Sequence, residues 1–375
     1  MKPVIKAFVI VALLMVSCYK PYHDAAMASQ KVLVVNGMIT NEPVSYHVRL
    51  SYATQFDSLG PASPLTSARV TVTDNHGNLF FFNDRGDGDY LSDSLQFKSR
   101  PGNLYTLNIT TPDGDRYESD PQKLLAEVPP DSVYAEYDNQ ETLSKITGMM
   151  ALTHGADILI DIKNRTDALP HFLIKTNLVR QYFYTDCPLF QSCYLYYCWQ
   201  TINANTDINL TGEGFALNSA SVARHAVCFI DDNLNFYALT YGLGHQQPDM
   251  SYVGISNSEY GNYMVHTRII YLKQYAINNE TYVYYKGMQD QLLSNGKLFD
   301  PIAVQLNGNI RCVTDPGKSS FGFFEASSVS SSAYIIDFKN PDNGQPSVRK
   351  TPYILPSEPN GSLVNKAPPF WVLNK

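Results

Sequence analysis

Three aspartates sit close together in Asp84-x2-Asp87-x-Asp89, spaced by Gly86 and Gly88. Carboxylates at that spacing, on a backbone that glycine lets wrap tightly, offer oxygen ligands to a calcium ion. The loop departs from the EF-hand pattern, which has a glutamate at the twelfth position; Leu95 stands there. A solvated hairpin loop is the plainer reading of the same residues. The eight histidines, at 23, 47, 76, 154, 171, 225, 245 and 266, include no i, i+4 pair of the kind that binds zinc from one helix. Gly254-Ile255-Ser256-Asn257-Ser258 lacks the second glycine of a nucleophile elbow. No glycine-rich phosphate loop occurs, and no cofactor is expected. A catalytic triad assembles from distant positions, so a hydrolase without a recognisable motif stays an alternative, while the residues favour a protein that is not an enzyme.

Cys18 carries a different chemistry. The chain opens with two lysines, Lys2 and Lys6, then an apolar run from Ala7 to Val16, then Ser17-Cys18. A basic start, about ten apolar residues and a small residue before the cut make a secretory signal peptide. The run is too short for a bilayer-spanning helix, which takes about 20 residues. Leu14-Met15-Val16-Ser17-Cys18 resembles a lipobox, so cleavage is expected before Cys18, followed by acylation of that residue. One acyl chain binds a membrane marginally, whereas two or three make a stable anchor. Residues 1–17 are therefore read as the signal peptide and 18–30 as a tether.

Five further cysteines, Cys187, Cys193, Cys198, Cys228 and Cys312, follow. In an oxidising compartment they are disulfide candidates. The spacing Cys187-x5-Cys193-x4-Cys198 lacks the close pairs of a zinc knuckle. Five is odd, so at least one thiol stays free. Cys228, in Ala226-Val227-Cys228-Phe229-Ile230, has the surroundings of a buried thiol that packs as a small hydrophobe.

The elements that must position these residues are mainly β. Hydrophobic content of 44% is enough to fill real cores, and the net charge of −7 comes without a basic cluster, which argues against nucleic acid as a partner. Tyrosine is abundant, 26 residues against 2 tryptophans. Strand propensity explains that; a stacking surface for sugars or other planar ligands is the sharper reading. Short alternating runs such as Tyr46-His47-Val48-Arg49-Leu50 and Ala68-Arg69-Val70-Thr71-Val72, broken by turn residues, predict an immunoglobulin-like or transthyretin-like β-sandwich over 31–127. Val128-Pro129-Pro130-Asp131 reads as a stiff connector. A second β-rich domain is expected over 131–340, with one or two helices. One helix is placed near 279–295: Asn279 can cap it, Glu280 suits its positive end, Tyr282, Tyr285, Met288 and Leu292 recur at helical spacing, and Gly296 stops it. Residues 341–375 read as a proline-rich tail.

Several segments in combination resemble one family, the domain of unknown function 4249 lipoproteins of Bacteroidota. They are Leu33-Val34-Val35-Asn36-Gly37, Cys198-Trp199, the Arg268 strand running into Gln274-Tyr275, the helix from Glu280, Phe299-Asp300-Pro301, Gly308-Asn309-Ile310-Arg311-Cys312 and Gly322-Phe323-Phe324. The resemblance implies an outer-membrane lipoprotein, lipid-anchored, acting beside a TonB-dependent transporter as an accessory to nutrient capture. A glycan or another small ligand is the expected cargo. A structural or adhesion module at the cell surface is the alternative. Whether the protein faces the periplasm or the cell exterior stays open, because Tyr19-Lys20-Pro21-Tyr22-His23-Asp24 holds one acid only. Cys198 and Cys312 both lie in family-matching segments, and a disulfide between them is expected. Cys187 and Cys193 would then form a small local bridge, leaving Cys228 free.

Overall fold

Alternation of apolar and polar residues sets the first strand. β1 (Leu33–Ile39) buries Leu33, Val35, Gly37 and Ile39 and turns Asn36 outward, the two-residue period of a half-buried strand. In the computed structural model the described residues are 32–53, 62–143, 149–163, 171–186, 194–204, 208–211, 221–231, 237–239, 252–254, 267–293, 306, 308–351 and 363–364. Next come β2 (His47–Tyr52), β3 (Ser63–Pro64), β4 (Arg69–Asp74), β5 (Leu79–Gly86), β6 (Asp89–Ser92), β7 (Leu104–Thr110), β8 (Arg116–Ser119) and β9 (Gln122–Lys123). Beyond the prolines lie β10 (Ser132–Leu143), β11 (Met150–Lys163), β12 (His171–Asp186), β13 (Tyr194–Asn203), β14 (Asn209–Thr211), β15 (Ser221–Asp231), β16 (Tyr237–Leu239), β17 (Tyr252–Gly254) and β18 (Thr267–Ile277). Then follow the helix α1 (Asn279–Leu293), β19 (Ile310–Cys312), β20 (Ser320–Ala326), β21 (Ser328–Asp342), β22 (Gln345–Thr351) and β23 (Leu363–Val364). The chain is mainly β, as its patterning predicts.

The first sheet runs β19-β8-β7-β4-β5-β6-β2-β1-β20, with β3 against β2 and β9 against β7. Its turns follow from local chemistry. At β4–β5, Asp74 Oδ1 accepts from the N–H groups of His76 and Asn78, both at 2.9 Å, the short side chain mimicking a backbone turn. The two ends of the sheet meet. Asn309 Nδ2 donates to Phe324 O (2.7 Å), its Oδ1 accepts from the Phe324 N–H (2.9 Å), and Ser320 Oγ donates to Ile310 O (2.7 Å). An asparagine amide thus stands in for a strand rung. Gly322 holds φ +96°, and a Cβ there would lie 1.8 Å from Val35 O; one on Gly308 would lie 2.0 Å from Gly322 O. Glycine is required where backbones pass that closely. The sheet encloses one core that includes Leu33, Leu50, Val72, Tyr90, Leu107 and Phe324.

This closure changes the domain boundary expected from the sequence. β19 and β20 fall inside 131–340, yet β19 pairs antiparallel with β8 and β20 pairs parallel with β1. The physical reason is that β1 would otherwise expose a row of unpaired backbone groups.

In the second unit, β10-β11-β15 form a three-stranded sheet, and β22-β21-β18-β12-β13-β23, with β14 on β12, form a seven-stranded one. One core unites them, with Ile158, Ile160 and Cys228 from the smaller sheet and Phe172, Leu272 and Ile336 from the larger. Ser327 alone separates β20 from β21, so the chain leaves the first sheet and enters the second unit in one run; its N–H donates to Ile39 O at 3.0 Å.

Asn278 Oδ1 accepts from the Thr281 N–H at 2.8 Å. Asn278 therefore caps α1, one residue before the expected Asn279. The helix ends at Leu293 rather than 295, and Gly296 lies outside the described residues. Among the described residues α1 is the single helix, and none is long and apolar enough to cross a membrane. The expected tail from 341 contains β22, which pairs with β21. Residues 1–31, which include those read as a signal peptide and a tether, lie outside the described residues.

Candidate functional site

The acidic loop does not assemble a cation site. Asp84 Oδ1 accepts from the Gly86 N–H (2.8 Å) and its Oδ2 from the Ser67 N–H (2.6 Å). Asp89 pairs instead with His47 Nδ1 at 3.0 Å. A bulge between Asp84 and Gly86 re-aims the backbone, and Asp87 sits at φ +51° in the turn beyond it. Two of the three carboxylates are thus committed to separate neighbours. Among the described residues no group of three or more His, Cys, Asp or Glu side chains is placed to hold a metal ion.

The expected Cys198–Cys312 bridge is corrected as well. Cys312 is a buried free thiol, its sulfur 3.4 Å from Thr314 Oγ1. Closure of the first sheet draws it opposite Tyr117 on β8, whereas Cys198 lies on β13 opposite Tyr182 in the second unit. Cys228 is buried and free. Burial, with Asp157 adding to it, pushes that thiol up to about 12, which makes it a packing residue rather than a nucleophile. Cys18, Cys187 and Cys193 lie outside the described residues. Several tyrosines also serve packing. Tyr90 is wholly buried, its hydroxyl donating to Leu65 O and accepting from the Ala68 N–H, each at 2.9 Å.

A polar cluster occupies the junction of the two units. Lys175 on β12 and Lys273 on β18 are direct cross-strand partners, a pairing that repels unless it is compensated. Glu42, just after β1, supplies part of that compensation: it pairs with Lys273 Nζ (3.3 Å) and accepts from Ser331 Oγ (3.1 Å). Lys175 Nζ lies 5.2 Å from the Tyr275 ring centroid. Nearby, Asn41 Oδ1 accepts from the Val329 N–H (2.6 Å), Ser328 Oγ donates to Leu125 O (2.5 Å) and Gln274 Nε2 donates to Val128 O (2.7 Å). Gln122 of β9 reaches the helix start, donating to Glu280 Oε2 (3.0 Å) and accepting from Asn278 Nδ2 (2.8 Å).

Glu325, on β20, is the buried acid of this junction, 3% exposed. Burial pushes its carboxyl up to about 7, and the Tyr285 hydroxyl, the Lys175 ammonium and the Ser327 hydroxyl pull it back only in part. Its Oε1 meets no partner at hydrogen-bonding geometry. Burial first, and then Glu325 itself, hold the Tyr285 hydroxyl well above the ordinary tyrosine range. The chemistry of the cluster is proton binding: a carboxyl on a strand of the first sheet, pushed up to about 7 by burial, faces Tyr285 and Lys175 of the second unit. Sequence reading passes over Glu325 and Lys175. A signal for Glu325 exists, because it is the lone charge in Phe321-Gly322-Phe323-Phe324-Glu325-Ala326.

A family model described as a domain of unknown function (DUF4249) matches residues 20–333. No curated protein matches the chain, and neither does any solved structure.

Proposed function

The chain belongs to the DUF4249 family, and on that premise we propose that it is a membrane-anchored accessory binding lipoprotein. In this reading it works beside a TonB-dependent outer-membrane uptake system. The observation that carries the proposal is the leader ending in Ser17-Cys18 ahead of a β-rich body. The first strand starts at Leu33, so the chain between it and Cys18 reaches on the order of 50 Å when extended. That lets a body held by acyl chains lie against the mouth of a neighbouring transporter. At the junction, hydrogen bonds and an ion pair join the two β-units.

Two measurements test it. Cys18→Ala is expected to abolish acylation and release the protein from the membrane fraction; continued sedimentation with membranes would show that lipid is not the anchor. Pull-down of the tagged protein in mild detergent is expected to recover a TonB-dependent receptor. Recovery of the lipoprotein alone counts against the transporter role and favours an adhesion or structural module. Protease shaving of intact cells assigns the face of the membrane on which the body sits.

A further inference from the structure

We propose that the far end of the β10–β11 hairpin dips into the lipid bilayer, a contact that rests on the reading of the chain as lipid-anchored. β11 pairs with β15 only from Gly155 to Lys163, while its pairing with β10 runs on to Met150 opposite Leu143. The rungs from Asn139–His154 to Leu143–Met150 therefore form a two-stranded ribbon, with no other described strand paired to either edge. At the usual strand rise it extends about 14 Å past the third strand. Asn139, Glu141, Met150, Ala151, Leu152 and His154 are all exposed. Successive residues of a strand point to opposite faces, so both faces of the ribbon meet solvent. Its root is fixed, because the Tyr137 N–H donates to Gln345 Oε1 of β22 at 2.7 Å.

The chemistry changes along the ribbon. The root is acidic: Asp157 stands opposite Glu136, and Asp138 follows two residues along. From Thr142 to Ala156 the sequence holds no acid, and Lys145 is its one Lys or Arg. At the far end Met150 and Leu152 share a face, 60% and 61% exposed, and Met149 beside them is 71% exposed. Glu141, opposite Leu152, is the last acid before that end. Beyond this rung the described strands run about 7 Å further. Interfacial segments bury their apolar groups to roughly 5–10 Å, so the apolar end matches that depth with Glu141 at the headgroups.

Size and charge select lipid as the occupant. Three side chains at a narrow end fall far below the roughly 800 Å² per partner that a stable protein–protein interface buries. They suffice against a bilayer, because acyl chains already hold the body there and the contact becomes intramolecular. The acids at the root repel anionic headgroups and so limit insertion to the end. A two-stranded hairpin alone is marginally stable in water, and the bilayer supplies the apolar surroundings that its end lacks. The hairpin then sets the height and tilt of the body, which a tether alone leaves free.

The test places the acylated protein on vesicles of phosphatidylethanolamine and phosphatidylglycerol, with or without phosphatidylcholine brominated near the headgroup end of its acyl chains. Met150→Trp is read against the parent, whose tryptophans are Trp199 and Trp371. The added emission is expected to shift to the blue on vesicles and to be quenched by the bromolipid, with an unchanged melting temperature. Leu95→Trp, at a position 83% exposed in the first unit, is expected to show neither. Adding Leu152→Asp to Met150→Trp is expected to abolish the quenching while the protein still floats with the vesicles. Flotation without extra quenching overturns the contact and leaves the anchor standing, whereas absence of flotation overturns both. Equal quenching in Leu95→Trp overturns the proposal. So does a blue shift that grows with protein density and is insensitive to bromine, which assigns the hairpin end to a second copy of the chain.

Discussion

Glu325 leaves water when the chain folds, and Tyr285, Lys175 and Ser327 compensate only in part. Its carboxyl is therefore raised in the folded state, from the ordinary 4.5 to about 7. The folded chain holds that proton to higher pH than the unfolded chain does. The stability this protonation gives is complete below pH 4.5 and is lost as pH rises through 7, a swing of roughly 3 kcal/mol. Glu325→Gln keeps the neutral shape and removes the titration. Urea midpoints measured at pH 5, 6, 7 and 8 should fall with pH in the parent and fall less in the variant; equal slopes would show that another group dominates. At this scale the sequence is legible in part. Cys228 reads correctly from its apolar run, because burial follows from neighbours in the strand. The fate of Cys312 does not, because it depends on which distant strand Ile310–Cys312 joins, and spacing carries no record of that.

The helix shows how an element is positioned by a few polar atoms. Asn278 caps α1 with its Oδ1 and binds Gln122 with its Nδ2, so one side chain both starts the helix and ties it to β9. Asn278→Ala is expected to cost about 1 kcal/mol from the cap alone, and more once Gln122 loses its partner. Asn279→Ala should cost less. Thermal unfolding of the two variants decides between them, and equal losses would remove Asn278 from the capping role. The recurrence of Tyr282, Tyr285 and Met288 makes this helix readable in the sequence, while two adjacent asparagines leave its first residue ambiguous by one. Leu292, part of the same spacing, is 70% exposed at the helix end. β22 is missed because Pro346 and the surrounding polar residues read as tail; its partner β21 supplies the reason for a strand there.

For the molecule as a whole, the β-rich character is legible from alternation, and the closure of the first sheet is not. The pairing of Leu33 with Ser320 joins residues far apart in the sequence, and a parallel pair leaves no hairpin signal between them. One consequence is direct. A fragment ending at residue 127 lacks β19 and β20 and is expected to show no cooperative thermal transition; a sharp transition in that fragment would show that the first unit closes without them. Gly322 lets β20 pass close to β1, and Gly308 lies against Gly322 in turn, so this closure cannot form until β20 has been made. Ribosomal synthesis delivers β1 early and β20 late, and loop closure over such a span is slow. Leu33-Val34-Val35 must therefore wait with an open edge while most of the polypeptide is made. Until β20 arrives, that open edge is a template on which another chain can pair, so β1 is a segment that needs protection during synthesis.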